Sequence, residues 1–185
     1  MNVFLMMKVL SIPLSHHILL MKELETDKPK IYVALTSGQS DVIERVYEGI
    51  KDLDAKIVIL TTVHTIKEKS HDHILVVDHL PSYKVMPLMD VAIIHGGQGS
   101  IQTAINAGTP VVGIPLHVEQ GLNVATIEKH GAGIMQLKHD IDPNEVKDKV
   151  LKILDNKRYE ENMMKLSAYQ KQVDGVAKAT DIILE

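Results

Sequence analysis

Residues 91–115 read VAIIHGGQGSIQTAINAGTPVVGIP, and this stretch decides the fold. An apolar run ends at His95, and Gly96, Gly97 and Gly99 follow within four positions. An amphipathic segment then runs to Gly108, a residue suited to stopping a helix, and PVVGIP closes the unit as a second apolar run. The pattern is strand, bare turn, helix, strand.

The same alternation extends outward on both sides. IYVALTS (31–37) reads as a buried strand. In SDVIERVYEGIKDL, Val42, Ile43, Val46, Tyr47, Ile50 and Leu53 share one helical face. KIVILTT and HILVVDHL read as strands, and SYKVMPLMD as a short helix or turn broken at Pro87. Downstream, EQGLNVATIEKHGAG reads as a helix with a glycine stop. DPNEVKDKVLKIL carries Asp142 as N-cap, Pro143 at the first helical position and Glu145 three after the cap. YEENMMKLSAYQKQV and GVAKATDIIL complete a helical tail. Strands alternating with helices predict an α/β domain, with a parallel sheet wrapped on both faces. Such sheets bind ligands at the carboxyl ends of their strands, here the loops after Leu35, Val77, Ile94 and Ile114.

Composition narrows the function. The 185 residues suit one domain with an appended arm, 45% hydrophobic and 24% charged. A net charge of −4 gives no footprint for nucleic acid. The chain has no cysteine, which excludes disulfides, zinc thiolates and thiol nucleophiles and fits a cytoplasmic setting. Residues 1–28 form an apolar arm and linker, and 29–185 the domain proper. The arm has no basic start or small-residue cleavage site, and Lys8, Pro13, His16 and His17 interrupt it, so it reads as a docking segment.

The loop itself is built for an anion. The first N–H groups of a helix lack intrahelical partners and carry partial positive charge. Gly96, Gly97 and Gly99 let a phosphate approach the backbone, Ser100 offers a hydroxyl, and His95 offers a ring N–H. A tight strand-to-helix turn would also use these glycines. A dinucleotide fingerprint starting at Gly97 fails at Gln102, and no P-loop sequence occurs. His71 and His73 lack the companions of a metal site and read as loop residues. His130 and His139 read as surface residues, Met163 and Met164 as core fillers.

Several motifs in order resemble the donor-binding region of GT-B glycosyltransferases, most of all the UDP-glycosyltransferase and macrolide glycosyltransferase group. They are His95-Gly96-Gly97, Ala107-Gly108-Thr109-Pro110, Pro115, Glu119-Gln120 and Asn123-Val124-Ala125. The resemblance runs from about Ile31 to the carboxyl end. It implies a single Rossmann-like domain, the carboxyl-terminal half of a GT-B fold, with the helical tail behind it. It assigns His95, Gly96, Gly97, Gly99 and Ser100 to the diphosphate of a nucleotide-sugar, and Glu119, Gln120 and His117 to the donor sugar. Thr36, Ser37 and Gly38 stand at the family's cleft loop. His79 and Leu80 stand where the family cradles the base, with His79-Leu80-Pro81-Ser82 replacing its W-x-P-Q, and Thr103 stands at the ribose position that is Glu in plant members. These departures leave UDP, TDP and other nucleotides open.

The implied reaction is metal-independent hexosyl transfer from a nucleotide-sugar, most simply a UDP-hexose, with no cofactor and no catalytic base in this chain. The resemblance puts that base in an amino-terminal acceptor domain. The chain is therefore expected to be a fragment, or to work with a partner subunit. A two-subunit GlcNAc transferase, whose stand-alone donor domain joins a membrane-bound partner, has that arrangement; membrane contact here would be indirect, through such a partner. Self-association is a further possibility. A non-catalytic nucleotide-sugar binding module is the alternative, and an epimerase of the same fold fits less well because of Glu119-Gln120.

Overall fold

The computed structural model describes residues 24–35, 40–62, 66, 72–172, 180 and 182–184. Six strands form one parallel sheet: β1 (Lys30–Ala34), β2 (Lys56–Leu60), β3 (Ile74–Val77), β4 (Val91–Ile94), β5 (Val111–Gly113) and β6 (Gly133–Met135). Their spatial order is β3-β2-β1-β4-β5-β6. The chain builds outward from β1 in one direction, then crosses back to build outward from β4 in the other. The switch point lies between β1 and β4, where Ala34 pairs with Ile94.

The inner strands β1, β2, β4 and β5 are buried on both faces, which is why they read as continuous apolar runs. Alternate residues feed two cores. Ile31, Val33, Ile57, Ile59 and Ile93 face helix α1 (Ser40–Ile50) and helix α5 (Pro143–Leu154). All six apolar residues expected on that helical face are buried, five of them on α1 and Leu53 in the turn just after it. Tyr32, Ala34, Val58, Ala92 and Ile94 face the opposite core. That core takes residues from α2 (Ser82–Val85), α3 (Gln98–Ala107), α4 (Val118–Lys129) and α6 (Arg158–Gln172). Leu24, inside the expected linker, is also buried there; residues 1–23 of the arm lie outside the described residues.

Element ends follow their local chemistry. Asp142 caps α5 by accepting from the Asn144 N–H at 2.8 Å, with Pro143 at the first turn. Glu145 bonds to Lys149 at 3.2 Å. Gly108 ends α3 in the left-handed conformation at φ 77°. Pro87 sits in a 3₁₀ turn, Met86–Leu88, directly after α2. Of the two methionines expected in the core, Met163 is fully buried, but Met164 is 56% exposed. The reason is helical spacing: adjacent positions diverge by about 100°, so one turned inward sends the next outward. Met164 lies over Gly108, where its sulfur would stand 2.5 Å from an added Cβ. Among the described residues no helix is long and apolar enough to cross a membrane.

Candidate functional site at the sheet switch point

The site begins at the carboxyl end of β4. His95 leaves the strand beside β1, and its Nδ1 lies 3.5 Å from the Ala34 carbonyl. The ring turns over the start of α3: a Cβ on Gly97 would meet His95 Nε2 at 2.7 Å. Gly97 is the N-cap of α3 and supplies no side-chain cap. The N–H groups of Gln98, Gly99 and Ser100, the first turn, thus have no intrahelical carbonyl and no capping oxygen at Gly97. A Cβ on Gly99 would meet nothing within 4 Å, so its bare backbone faces open space.

Gly96 is needed for two separate reasons. Its φ of +82° favours glycine, and a Cβ there would stand 2.4 Å from Val124 Cγ2 and 3.1 Å from the Gln120 carbonyl oxygen. Gly113, at the end of β5, is equally tight: its Cβ would lie 2.4 Å from both Val124 methyls. Val124 therefore wedges α4 against two bare backbones, which brings the helix close to the loop after β4.

That approach ties Glu119, one of the expected sugar-binding residues, to the loop after β4 through Asn123. Asn123 Nδ2 donates to the Gly96 carbonyl at 3.1 Å and to Glu119 Oε1 at 2.6 Å. Glu119 is exposed in the first turn of α4, and His117 is its exposed N-cap. Gln120 is instead 7% exposed, and its Oε1 accepts from the Leu116 N–H at 2.8 Å, holding the loop that enters α4. The link from Asn123 to Gly96 spans 27 residues and could be found only from the fold, although Asn123 itself stands in a recognisable motif.

The remaining expected residues are placed as follows. The Ser100 hydroxyl donates to the Gly97 carbonyl at 2.8 Å, and the Thr103 hydroxyl donates to the Gly99 carbonyl at 2.8 Å. His79 is exposed, with Nδ1 2.5 Å from the Asp78 carbonyl, and Leu80 packs partly buried against the core that holds Ile94 and Ile101. Ser82 pairs with the Tyr32 hydroxyl at 2.8 Å; burial raises the Tyr32 pKa and this bond partly offsets it. Thr36, Ser37 and Gly38 lie outside the described residues, as does His71. His73 Nε2 lies 2.8 Å from the Lys51 carbonyl. Among the described residues no group of three or more His, Asp or Glu side chains is placed to hold a metal ion.

The geometry agrees with similarities to known proteins. Residues 44–174, more than half of the chain, match the family model for the C-terminal domain of erythromycin biosynthesis protein CIII-like proteins. A PGL/p-HBAD biosynthesis glycosyltransferase of Mycobacterium tuberculosis is 31% identical over 113 residues, covering 60% of this chain and 26% of that protein. An uncharacterized UDP-glucosyltransferase of Bacillus subtilis is 26% identical over 152 residues, covering 80% of this chain and 38% of its own length. Among solved structures, a spinosyn rhamnosyltransferase complexed with thymidine diphosphate superimposes with a TM-score of 0.76 at 16% identity, covering 86% of this chain and 46% of that one. The chain thus spans less than half the length of each of these proteins. With its doubly wound parallel sheet and the match along most of its length, the chain belongs to the erythromycin biosynthesis protein CIII-like C-terminal domain family and is a C-terminal GT-B glycosyltransferase domain.

Proposed function

We propose that this domain binds a nucleotide-sugar and presents its anomeric carbon for hexosyl transfer to an acceptor held by another domain or subunit. The observation that carries the reading is the convergence at one strand end. The uncapped start of α3, the open face of Gly99 and the His95 ring meet Glu119 of α4 through Asn123. One side of that arrangement suits a diphosphate and the other suits sugar hydroxyls.

The chemistry follows from charge. As the glycosidic bond to the diphosphate breaks, negative charge grows on the leaving oxygen. The N–H groups of the first turn of α3 stabilise that charge, and the His95 ring, whose Nε2 stands over the start of that helix, adds a ring N–H. This route needs no metal ion. Ser100 contributes through the shape of the turn, since its hydroxyl already donates to Gly97. The base that deprotonates the acceptor comes from the other domain or subunit. Either UDP or TDP suits this reading, because the similar proteins include a UDP-glucosyltransferase and a rhamnosyltransferase complexed with thymidine diphosphate.

Calorimetry with UDP, TDP and their glucose conjugates tests the proposal. Binding by the wild type and weakened binding by His95→Ala are expected. No binding of any of the four, or unchanged binding in His95→Ala, overturns it. Sugar transfer by the purified chain alone, without a second domain or subunit, overturns the divided-site part.

A further inference from the structure

Asn is a poor residue for a helix interior, yet Asn123 sits within α4, partly buried, where Ala would favour the helix. Its amide nitrogen bridges two elements, reaching the Gly96 carbonyl in the loop after β4 and the Glu119 carboxylate one turn back on its own helix. Both partners are acceptors, so only the NH₂ side of the amide can satisfy them. The bond to Glu119 is charge-assisted and 2.6 Å long.

The consequences reach both halves of the site. An exposed glutamate otherwise samples many rotamers, and ordering such a side chain on binding opposes that binding. Asn123 holds Oε1 from the protein side, and Oε2 with the remaining lone pairs supplies acceptor capacity for hydroxyls. At its other contact it fixes the carbonyl of the peptide that leads into Gly97 and the start of α3.

We propose that Asn123 is a positioning residue that sets the Glu119 carboxylate for the donor sugar and ties it to the diphosphate loop through Gly96. This rests on the donor-site reading above. It adds that the sugar contact is organised by an amide that does not itself touch the sugar.

The test compares wild type, Asn123→Ala, Glu119→Ala and the double variant by calorimetry, with UDP and UDP-glucose as one ligand pair and TDP and TDP-glucose as the other. Asn123→Ala is expected to weaken the glucose conjugate about tenfold more than the diphosphate alone, the loss of roughly one oriented charge-assisted bond. In the Glu119→Ala background that extra loss disappears, because there is no carboxylate left to orient. Asn123→Asp, of the same shape, places a second acceptor against Glu119 and is expected to lose at least as much. It gives the same reading if the alanine variant does not fold. Equal loss for conjugate and diphosphate, or an extra loss that persists without Glu119, overturns the proposal and leaves Asn123 as a packing residue. A wild type that binds the diphosphates but not their conjugates also overturns it, whereas one that binds none of the four removes the donor-site reading as well.

Discussion

Replacing Gly96 with alanine separates the two constraints on the loop after β4. The first is conformational: at φ +82° an L side chain costs about 1–2 kcal/mol. The second is steric: the new Cβ would lie 2.4 Å from Val124 Cγ2, and overpacking of this kind costs about 1–3 kcal/mol. The expected destabilisation is their sum, about 2–5 kcal/mol. Urea unfolding of four proteins resolves the parts: wild type, Gly96→Ala, Val124→Ala and the double variant. Val124→Ala alone deletes two fully buried methyls and costs about 1.5–3 kcal/mol. In the double variant the next contact of the new Cβ is the Gln120 carbonyl oxygen at 3.1 Å, which small adjustments relieve. The double variant is therefore expected to be more stable than additivity predicts by about 1–3 kcal/mol, while the φ cost remains. Additivity within about 0.5 kcal/mol, or a Gly96→Ala protein as stable as the wild type, refutes the wedge.

Gly99→Ala is the contrasting case: beyond its chain neighbours and its own helix backbone the added methyl meets nothing within 4 Å, and it lies in the first turn of a helix, so stability stays level or rises by up to about 1 kcal/mol. The same methyl occupies the space proposed for the diphosphate, so calorimetry is expected to show UDP or TDP binding weakened at least tenfold; unchanged binding counts against the cradle. In alkali, burial holds the Tyr32 phenol above its ordinary value near 10, so the unfolded chain ionises first. Stability is then complete below pH about 10 and falls as pH rises through the folded value, with Tyr47 acting in the same direction. Tyr32→Phe should flatten that fall in denaturation midpoints, and an unchanged slope disproves the assignment.

Much of the architecture is legible in the sequence because it rests on short-range rules. The apolar runs, the face of α1 and the Asp142 cap each depend on spacing within one or two turns. The motif residues around His95 and Glu119 are legible for the same reason, as short strings at fixed offsets. What the spacing does not carry is the direction of each side chain. Gln120 and Glu119 are neighbours in one motif, yet one turns inward to hold Leu116 and the other stays exposed. Ser100 and Thr103 offer hydroxyls on paper, but each finds a carbonyl three or four residues back, the local alternative open to short polar side chains on a helix. The sheet order is likewise invisible to periodicity, since alternation of strand and helix predicts parallel strands but not which neighbour each strand chooses.

Gly113 shows how packing and binding become the same question in this domain. It lies at the end of β5, outside every residue assigned to the donor, and its φ is not positive. The reason for glycine there is steric, since a Cβ would press on both methyls of Val124. Helix α4 must then shift, and with it move Asn123 and Glu119, whose bonds to Gly96 and to each other hold the side of the site proposed for the sugar. Gly113→Ala is therefore expected to destabilise by about 1–3 kcal/mol and to weaken a nucleotide-sugar more than the bare diphosphate, as Asn123→Ala does. Because no φ penalty accompanies it, Val124→Ala should relieve its steric part more fully than in Gly96→Ala. If Gly113→Ala lowers stability yet leaves the ratio of conjugate to diphosphate affinity unchanged, α4 is free to move without disturbing the sugar contacts, and the Val124 wedge serves folding alone.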